Sequence, residues 1–206
     1  MLAFSGRSGN LGCMNKLLII SASTRPQRLG TVISEWVQRV ALDIAATDGN
    51  VEVELTDLAE VNLPFLDEVV PAAIAQQEYQ NEHTLRWSQR VAQADGFVFV
   101  LPEYNHSYPA SIKNAIDYLF VEWNYKPLGM VSYGASKAVG WGAKHLRTVA
   151  GELCMYDVRD YVLIPDCFDR VDDKGNFHPL EYQNADAKGM ITEVIRAIEP
   201  MKLMRV

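Results

Sequence analysis

Two spacings of apolar residues alternate along this chain. Short runs that are apolar at nearly every position are followed by longer stretches whose apolar residues fall three and four apart. These are the marks of buried strands and of amphipathic helices. Residues 16–21, Lys-Leu-Leu-Ile-Ile-Ser, read as an opening strand. Residues 30–46 follow as a helix, with Val32, Ile33, Trp36, Val37, Val40, Ala41, Ile44 and Ala45 on one face. Residues 51–55 alternate Val, Glu, Val, Glu, Leu, as in a strand with one wetter face nearer a sheet edge. Leu63-Pro64-Phe65-Leu66 and Pro71 make an irregular stretch, and 83–92 read as a second helix. Residues 96–101, Gly-Phe-Val-Phe-Val-Leu, have no polar face at all, so they belong at a sheet centre, and a helix over 110–121 follows them. A strand over 127–133, a helix over about 139–153, a strand over 161–164 and a helix over 185–198 stopped by Pro200 complete the series.

Strands alternating with helices predict an α/β fold whose parallel sheet is covered by helices on both faces. Five strands point to a flavodoxin-like doubly wound sheet more than to a two-domain dehydrogenase. Residues 16–206 read as one domain, and 1–15 as a flexible N-terminal extension without an apolar core of signal-peptide length. No apolar run approaches the span of a bilayer. The net charge of −7 argues against a nucleic-acid surface, which needs clustered Lys and Arg, but leaves room for a local basic pocket. Cys13, Cys154 and Cys167 form no CxxC and sit near no His cluster. The last two stand in apolar surroundings and read as packed hydrophobes, which suits a cytoplasmic protein. Asp166, Asp169, Asp172 and Asp173 lack the spacing of a calcium loop, so no metal site is expected.

Chemistry gathers where strands end. Between the first strand and its helix lies Ser21-Ala22-Ser23-Thr24-Arg25-Pro26-Gln27-Arg28-Leu29-Gly30-Thr31. Hydroxyls, two arginines and free amides at a helix start favour a phosphate, and Arg25 adds a charge-assisted contact. The same residues read equally as helix caps and a solvated surface charge. No GxxxxGK[ST] and no GxGxxG occur here, so one terminal phosphate, as on FMN, suits the loop better than a triphosphate or a dinucleotide. After the third strand, Pro102, Glu103, Tyr104 and Asn105 offer in-plane hydrogen bonds and an aromatic face to a flat heterocycle, or else form a well-packed turn. Tyr133 and Gly134 end the fourth strand, and Gly134 admits a close approach that a Cβ would obstruct. Three neighbouring strand ends with ligand-type residues favour a shared site. His106 has no nucleophile placed with it, and no catalytic side chain is nominated.

Pro102-Glu103-Tyr104-Asn105, then Pro109-Ala110-Ser111-Ile112-Lys113-Asn114-Ala115-Ile116-Asp117-Tyr118-Leu119, Glu122-Trp123, Lys126-Pro127 and Val131-Ser132-Tyr133-Gly134 resemble, in order, the NADPH-dependent FMN reductase family of flavodoxin-like quinone, azo-dye and chromate reductases. The resemblance implies FMN as cofactor, NADPH or NADH as donor and a small-molecule electron acceptor. It implies Ser23, Arg25 and the backbone at Thr31 and Val32 as phosphate contacts. Pro102 to Asn105 would lie along the pyrimidine side of the isoalloxazine, and Tyr133 and Gly134 beside the ring. It implies a dimer or tetramer with the 110–121 helix at an interface. The chain departs from many relatives in Ala22-Ser23, where they have Gly-Ser, and in a longer first loop. It also has Ala135-Ser136-Lys137-Ala138 in place of a glycine-rich stretch. A flavodoxin-type electron carrier without its own NAD(P)H activity, and a flavin-free α/β hydrolase or sugar-phosphate binder, are the alternatives.

Overall fold

The runs without a polar face sit where both sides of a sheet are covered. In a computed structural model describing residues 14–137 and 139–205, the strands are β1 (Asn15–Ser21), β2 (Val51–Asp57), β3 (Gly96–Pro102), β4 (Pro127–Tyr133), β5 (Tyr156–Asp157) and β6 (Val162–Ile164). All pairings are parallel, in the order β2-β1-β3-β4-β5, with β6 also on β4. β5 and β6 are two pieces of one fifth strand. They pair with Pro127 and Leu128, then with Val131 to Tyr133, along the edge of β4 that faces away from β3. The strand expected over 161–164 is the second piece. Of the expected 1–15 extension, residues 1–13 lie outside the described residues, and Asn15 already belongs to β1.

The helices are α1 (Gly30–Asp48), α2 (Leu58–Val61), α3 (Ala72–Ala75), α4 (Glu82–Gln93), α5 (Ala110–Asp117), α6 (Trp141–Glu152) and α7 (Glu181–Lys202). Successive β3 side chains point to opposite faces. Phe97, Phe99 and Leu101 join a core with Trp87, Val91, Ile112, Ile116 and Leu146 from α4, α5 and α6. Val98 and Val100 meet Ile33, Val37, Met190 and Val194 from α1 and α7. Phe97 and Phe99 thus share one side of the sheet with Trp87 and Trp123, while Trp36 and Phe177 pack on the other.

Three helix boundaries differ most from expectation. α5 stops at Asp117 because the chain turns to bury Tyr118 and Trp123, whose indole Nε1 donates to the Ile116 carbonyl at 3.2 Å. α7 starts at Glu181, where Gln183 Oε1 accepts from the Leu180 amide at 2.8 Å. It also runs through Pro200 to Lys202. A proline in a last turn removes one hydrogen bond, the one to the carbonyl of Arg196, and Arg196 itself is exposed. Among the described residues no helix is long and apolar enough to cross a membrane.

Lys126 sits just before β4, 5% exposed, and its Nζ donates to the carbonyls of Val91 and Ala92 at 2.9 and 3.1 Å, closing the end of α4. Burial, with Arg205 adding to it, pushes its ammonium down to about 7, while Asp95 and Glu122 oppose the shift. Its folded pKa lies below its unfolded one, so the unfolded chain binds more protons between pH about 7 and about 10. This lysine's contribution to stability therefore rises with pH across that window. Urea midpoints at the two ends should show a gain for the parent that shrinks in Lys126→Met. Equal gains in both proteins would clear Lys126 of the effect.

Candidate functional site

After β1 the chain crosses to β2 on one side, while β3 lies on the other, so the carboxyl ends of β1 and β3 splay into a crevice. The crevice is lined by Ser23, Arg25, Gln27, Arg28 and Leu29 from the first loop and by Pro102, Glu103 and Tyr104 after β3. Tyr133, Gly134 and Ala135 after β4, and Cys167 and Phe168 after β6, complete it. With its open mouth it holds about 610 Å³.

The first loop delivers an uncapped helix. Leu29 stands at the N-cap of α1, no side chain caps it, and the first turn carries no acidic residue. The amides of Gly30, Thr31 and Val32 find no protein acceptor among the described residues. Helix starts usually satisfy such donors with a Ser, Thr, Asp or Asn. Thr31 and Val32 are half-buried on the helix and stand outside the lining. Arg25 is exposed, has no carboxylate partner among the described residues, and lies 6.0 Å from the Tyr104 ring centroid. Arg28 differs, being half-buried and ion-paired to Asp57 at the end of β2. Ser23 is buried, with its Oγ 3.1 Å from the Tyr104 hydroxyl. Tyr104 thereby joins the first loop to the second.

Beneath that contact lies a group of unspent hydroxyls. The Tyr133 hydroxyl is buried without a hydrogen-bond partner, and so is Ser21 Oγ. Burial pushes the Tyr133 phenol up, so it stays a neutral donor. A Cβ built on Gly30 would stand 2.6 Å from the Tyr133 hydroxyl, 3.3 Å from Ser23 Cβ and 3.4 Å from Ser21 Oγ. Buried polar atoms without partners are rare, and a ligand oxygen at this point would satisfy one.

In the second loop the Tyr104 and Ser107 backbones exchange hydrogen bonds at 2.9 and 3.0 Å around Asn105 (φ 51°) and His106 (φ 61°). Both central residues have positive φ, which defines a tight type I′ turn. Asn105 is exposed at its tip, outside the lining, and the amides of Asn105 and His106 have no protein acceptor among the described residues. Glu103 is spent inside the protein. Its amide donates to the Tyr133 carbonyl at 2.8 Å, and its Oε2 accepts from the amides of Gly140 and Gly142 at 2.7 and 3.2 Å. This carboxylate caps α6 from another loop, where the helix dipole favours it.

Gly134 is tight against its own chain. A Cβ there would meet Val139 Cγ1 at 3.0 Å and Glu103 Cβ at 3.7 Å. The third loop is also stitched to the fifth strand. The Gly134 amide donates to the Ile164 carbonyl at 3.2 Å, and the Cys167 amide to the Gly134 carbonyl at 3.0 Å. That stitching brings Cys167 and Phe168 to the crevice. Sequence reasoning did not assign them there, although their position just past the last strand was the signal. Cys167 is buried as expected, whereas Cys154 is exposed, with φ 53° where the chain leaves α6.

The sequence profile of the NADPH-dependent FMN reductase family matches residues 15–169. An NAD(P)H-dependent FMN reductase of Schizosaccharomyces pombe is 42% identical over 140 residues, 68% of each chain. Another, of Saccharomyces cerevisiae, is 40% identical over 124 residues, which are 58% of this chain and 65% of its own. The alignments thus span about two thirds of these relatives' lengths. The flavoenzyme NAD(P)H:(acceptor) oxidoreductase FerB of Paracoccus denitrificans has the same fold, with a TM-score of 0.66 at 19% identity, covering 91% of this chain and 99% of its own.

Proposed function

Because this chain belongs to the NADPH-dependent FMN reductase family, a family of NAD(P)H-dependent enzymes, we propose that it binds FMN in the crevice between the first, second and third loops. When bound, FMN would supply the redox chemistry that links NADPH or NADH, as hydride donor, to quinone, azo, metal oxyanion or flavin acceptors in a ping-pong cycle. The observation that carries this reading is the uncapped start of α1, with Arg25 unpaired beside it and the Tyr133 hydroxyl unpaired beneath it. Arg25, the amides of Gly30 to Val32 and the hydroxyls of Ser23 and Tyr133 would hold the phosphate. The free amides of Asn105 and His106 would meet the polar edge of the ring, and Pro102, Tyr104 and Tyr133 to Ala135 its faces. Glu103 serves by holding α6, and through it the third loop, in place. No side chain need act as nucleophile, acid or base. Alignment of donor and ring is the chain's kinetic contribution. Dimeric or tetrameric association in the cytoplasm belongs to the same proposal.

The test is the visible spectrum of purified, FMN-reconstituted protein before and after NADPH. A flavin band that bleaches supports the reading. A band that persists with NADPH present points to an electron carrier, and no band at all removes the site. Arg25→Ala should weaken FMN binding by about 10- to 100-fold, the worth of one charge-assisted contact. An unchanged dissociation constant would take Arg25 out of the phosphate site.

A further inference from the structure

Beyond Glu103, the outer rim of the crevice carries an exposed indole ringed by one lysine and two histidines. Trp141 opens α6 and is 46% exposed, whereas Trp36, Trp87 and Trp123 are 4%, 2% and 0% exposed. Lys144 Nζ lies 4.8 Å from the Trp141 ring centroid. His106 meets the indole edge-on at 6.2 Å, and His145 lies 6.3 Å from it. His145 Nδ1 is also 3.4 Å from Ser107 Oγ. Two segments therefore converge, the Asn105–His106 turn and the first turns of α6.

Among the described residues about half of the lysines and arginines are matched to carboxylates, as in Lys16–Glu54, Arg28–Asp57, Arg147–Asp157 and Arg205–Asp95. Lys144 has no carboxylate partner among the described residues. Glu103 meets this rim at His106, whose Nδ1 lies 3.5 Å from its Oε1, but its side chain is 7% exposed and its Oε2 already holds two α6 amides. The rim thus offers an exposed indole with a lysine over its ring and no carboxylate to neutralise that charge. Arg25 stands uncommitted across the crevice in the first loop.

We propose that this rim seats the adenosine end of the dinucleotide donor. The purine stacks on Trp141, and the 2′-phosphate of NADPH meets Lys144 and His145. The inference rests on the proposed function, because it supplies the far anchor for a donor whose nicotinamide reaches the crevice. An exposed indole gives a purine a stacking surface, and a phosphate gives Lys144 its missing partner. The chemistry also discriminates. NADH lacks the 2′-phosphate and forgoes the contact to Lys144, so the rim favours NADPH.

Calorimetric titration of the FMN-loaded protein with adenosine 2′,5′-bisphosphate and with adenosine 5′-monophosphate tests this. The bisphosphate should bind at least about fivefold more tightly, and Lys144→Ala should bring the two to within about twofold. The same variant should raise the ratio of KM for NADPH to KM for NADH by about five- to tenfold, and Trp141→Ala should weaken both probes. Lys188→Ala, an exposed cation on α7, is the control and should move neither ratio. A yellow protein bleached by NADPH in which Lys144→Ala moves neither ratio overturns this inference alone. If reconstitution gives no flavin band, the proposed function falls and takes this inference with it.

Discussion

Gly30→Ala is expected to lower the stability of the FMN-free protein by about 1–3 kcal/mol, as overpacking a filled site does, and to cut FMN affinity at least tenfold. The new Cβ would stand 2.6 Å from the Tyr133 hydroxyl, with Ser23 Cβ and Ser21 Oγ closing the other sides. Tyr133 is buried and cannot swing into solvent. Either its ring moves into the crevice or the start of α1 shifts, and both outcomes spoil the proposed phosphate seat. A second substitution separates these effects. Tyr133→Phe removes a buried hydroxyl that has no partner, so in the FMN-free protein it should be nearly neutral. Combined with Gly30→Ala, it removes the clashing atom and should restore most of the urea midpoint. FMN affinity should recover less, because the phenol is also proposed to serve the phosphate. The double-mutant cycle reads the coupling directly. Gly30→Ala with an unchanged midpoint and unchanged FMN affinity would show that this corner has room to spare.

Gly30 also shows where the sequence stopped being readable. Its place after the first loop suggested a helix start, and the helix is there. That it must be glycine follows from a tyrosine that lies 103 residues on in the numbering of the chain. The central strands were legible because a run with no polar face can only lie between two covered faces, as β3 does with aromatics on one side and valines on the other. Tyr156–Asp157 was not legible, since two residues carry no period. α2 and α3 are single turns of four residues each, below what helical spacing resolves.

The site was legible as a set of strand ends and less so residue by residue. Ser23, Arg25, Pro102, Tyr104, Tyr133 and Gly134 do line one crevice. Glu103 lines it as well, yet its carboxylate belongs to Gly140 and Gly142, a partnership fixed only by tertiary packing. Asn105 reads as a ring contact through its backbone, and the I′ turn leaves its side chain at the tip with its amide free of a protein acceptor among the described residues. Cys154 read as core from its neighbours Leu153 and Met155. The positive φ it adopts on leaving α6 places it at the surface, between two residues that do stay buried.

Trp123→Ala should cost the most stability, about 3–5 kcal/mol, and it separates the fold's share of the family motif from the site's. The indole is fully buried among Phe97 at 4.9 Å, Phe99 at 6.0 Å and Trp87 at 6.1 Å. Its Nε1 donates to the Ile116 carbonyl, as Trp87 Nε1 does to that of Ala115 at 2.8 Å, so two indoles satisfy the carbonyls that end α5. Beside it Glu122, 2% exposed, accepts from Ser88 Oγ at 2.6 Å and the Tyr79 hydroxyl at 3.1 Å, and Lys126 closes α4. Glu122-Trp123 and Lys126-Pro127 thus clamp α4 and α5 onto β3 and β4 and touch no part of the crevice. Alanine would leave a large cavity, whose cost is a sizeable fraction of the ~5–15 kcal/mol that holds a typical domain. The loss should reach the site only indirectly, because Ser111 of α5 donates to the Ala22 carbonyl beneath the first loop. FMN added to Trp123→Ala should therefore still raise its urea midpoint, through binding to the folded state alone. Trp141→Ala removes an equally large ring from an exposed position and should shift the midpoint by no more than about 0.5 kcal/mol. If the two variants unfolded together, the aromatic cluster around Trp123 would be too loosely packed to act as the clamp that this geometry describes.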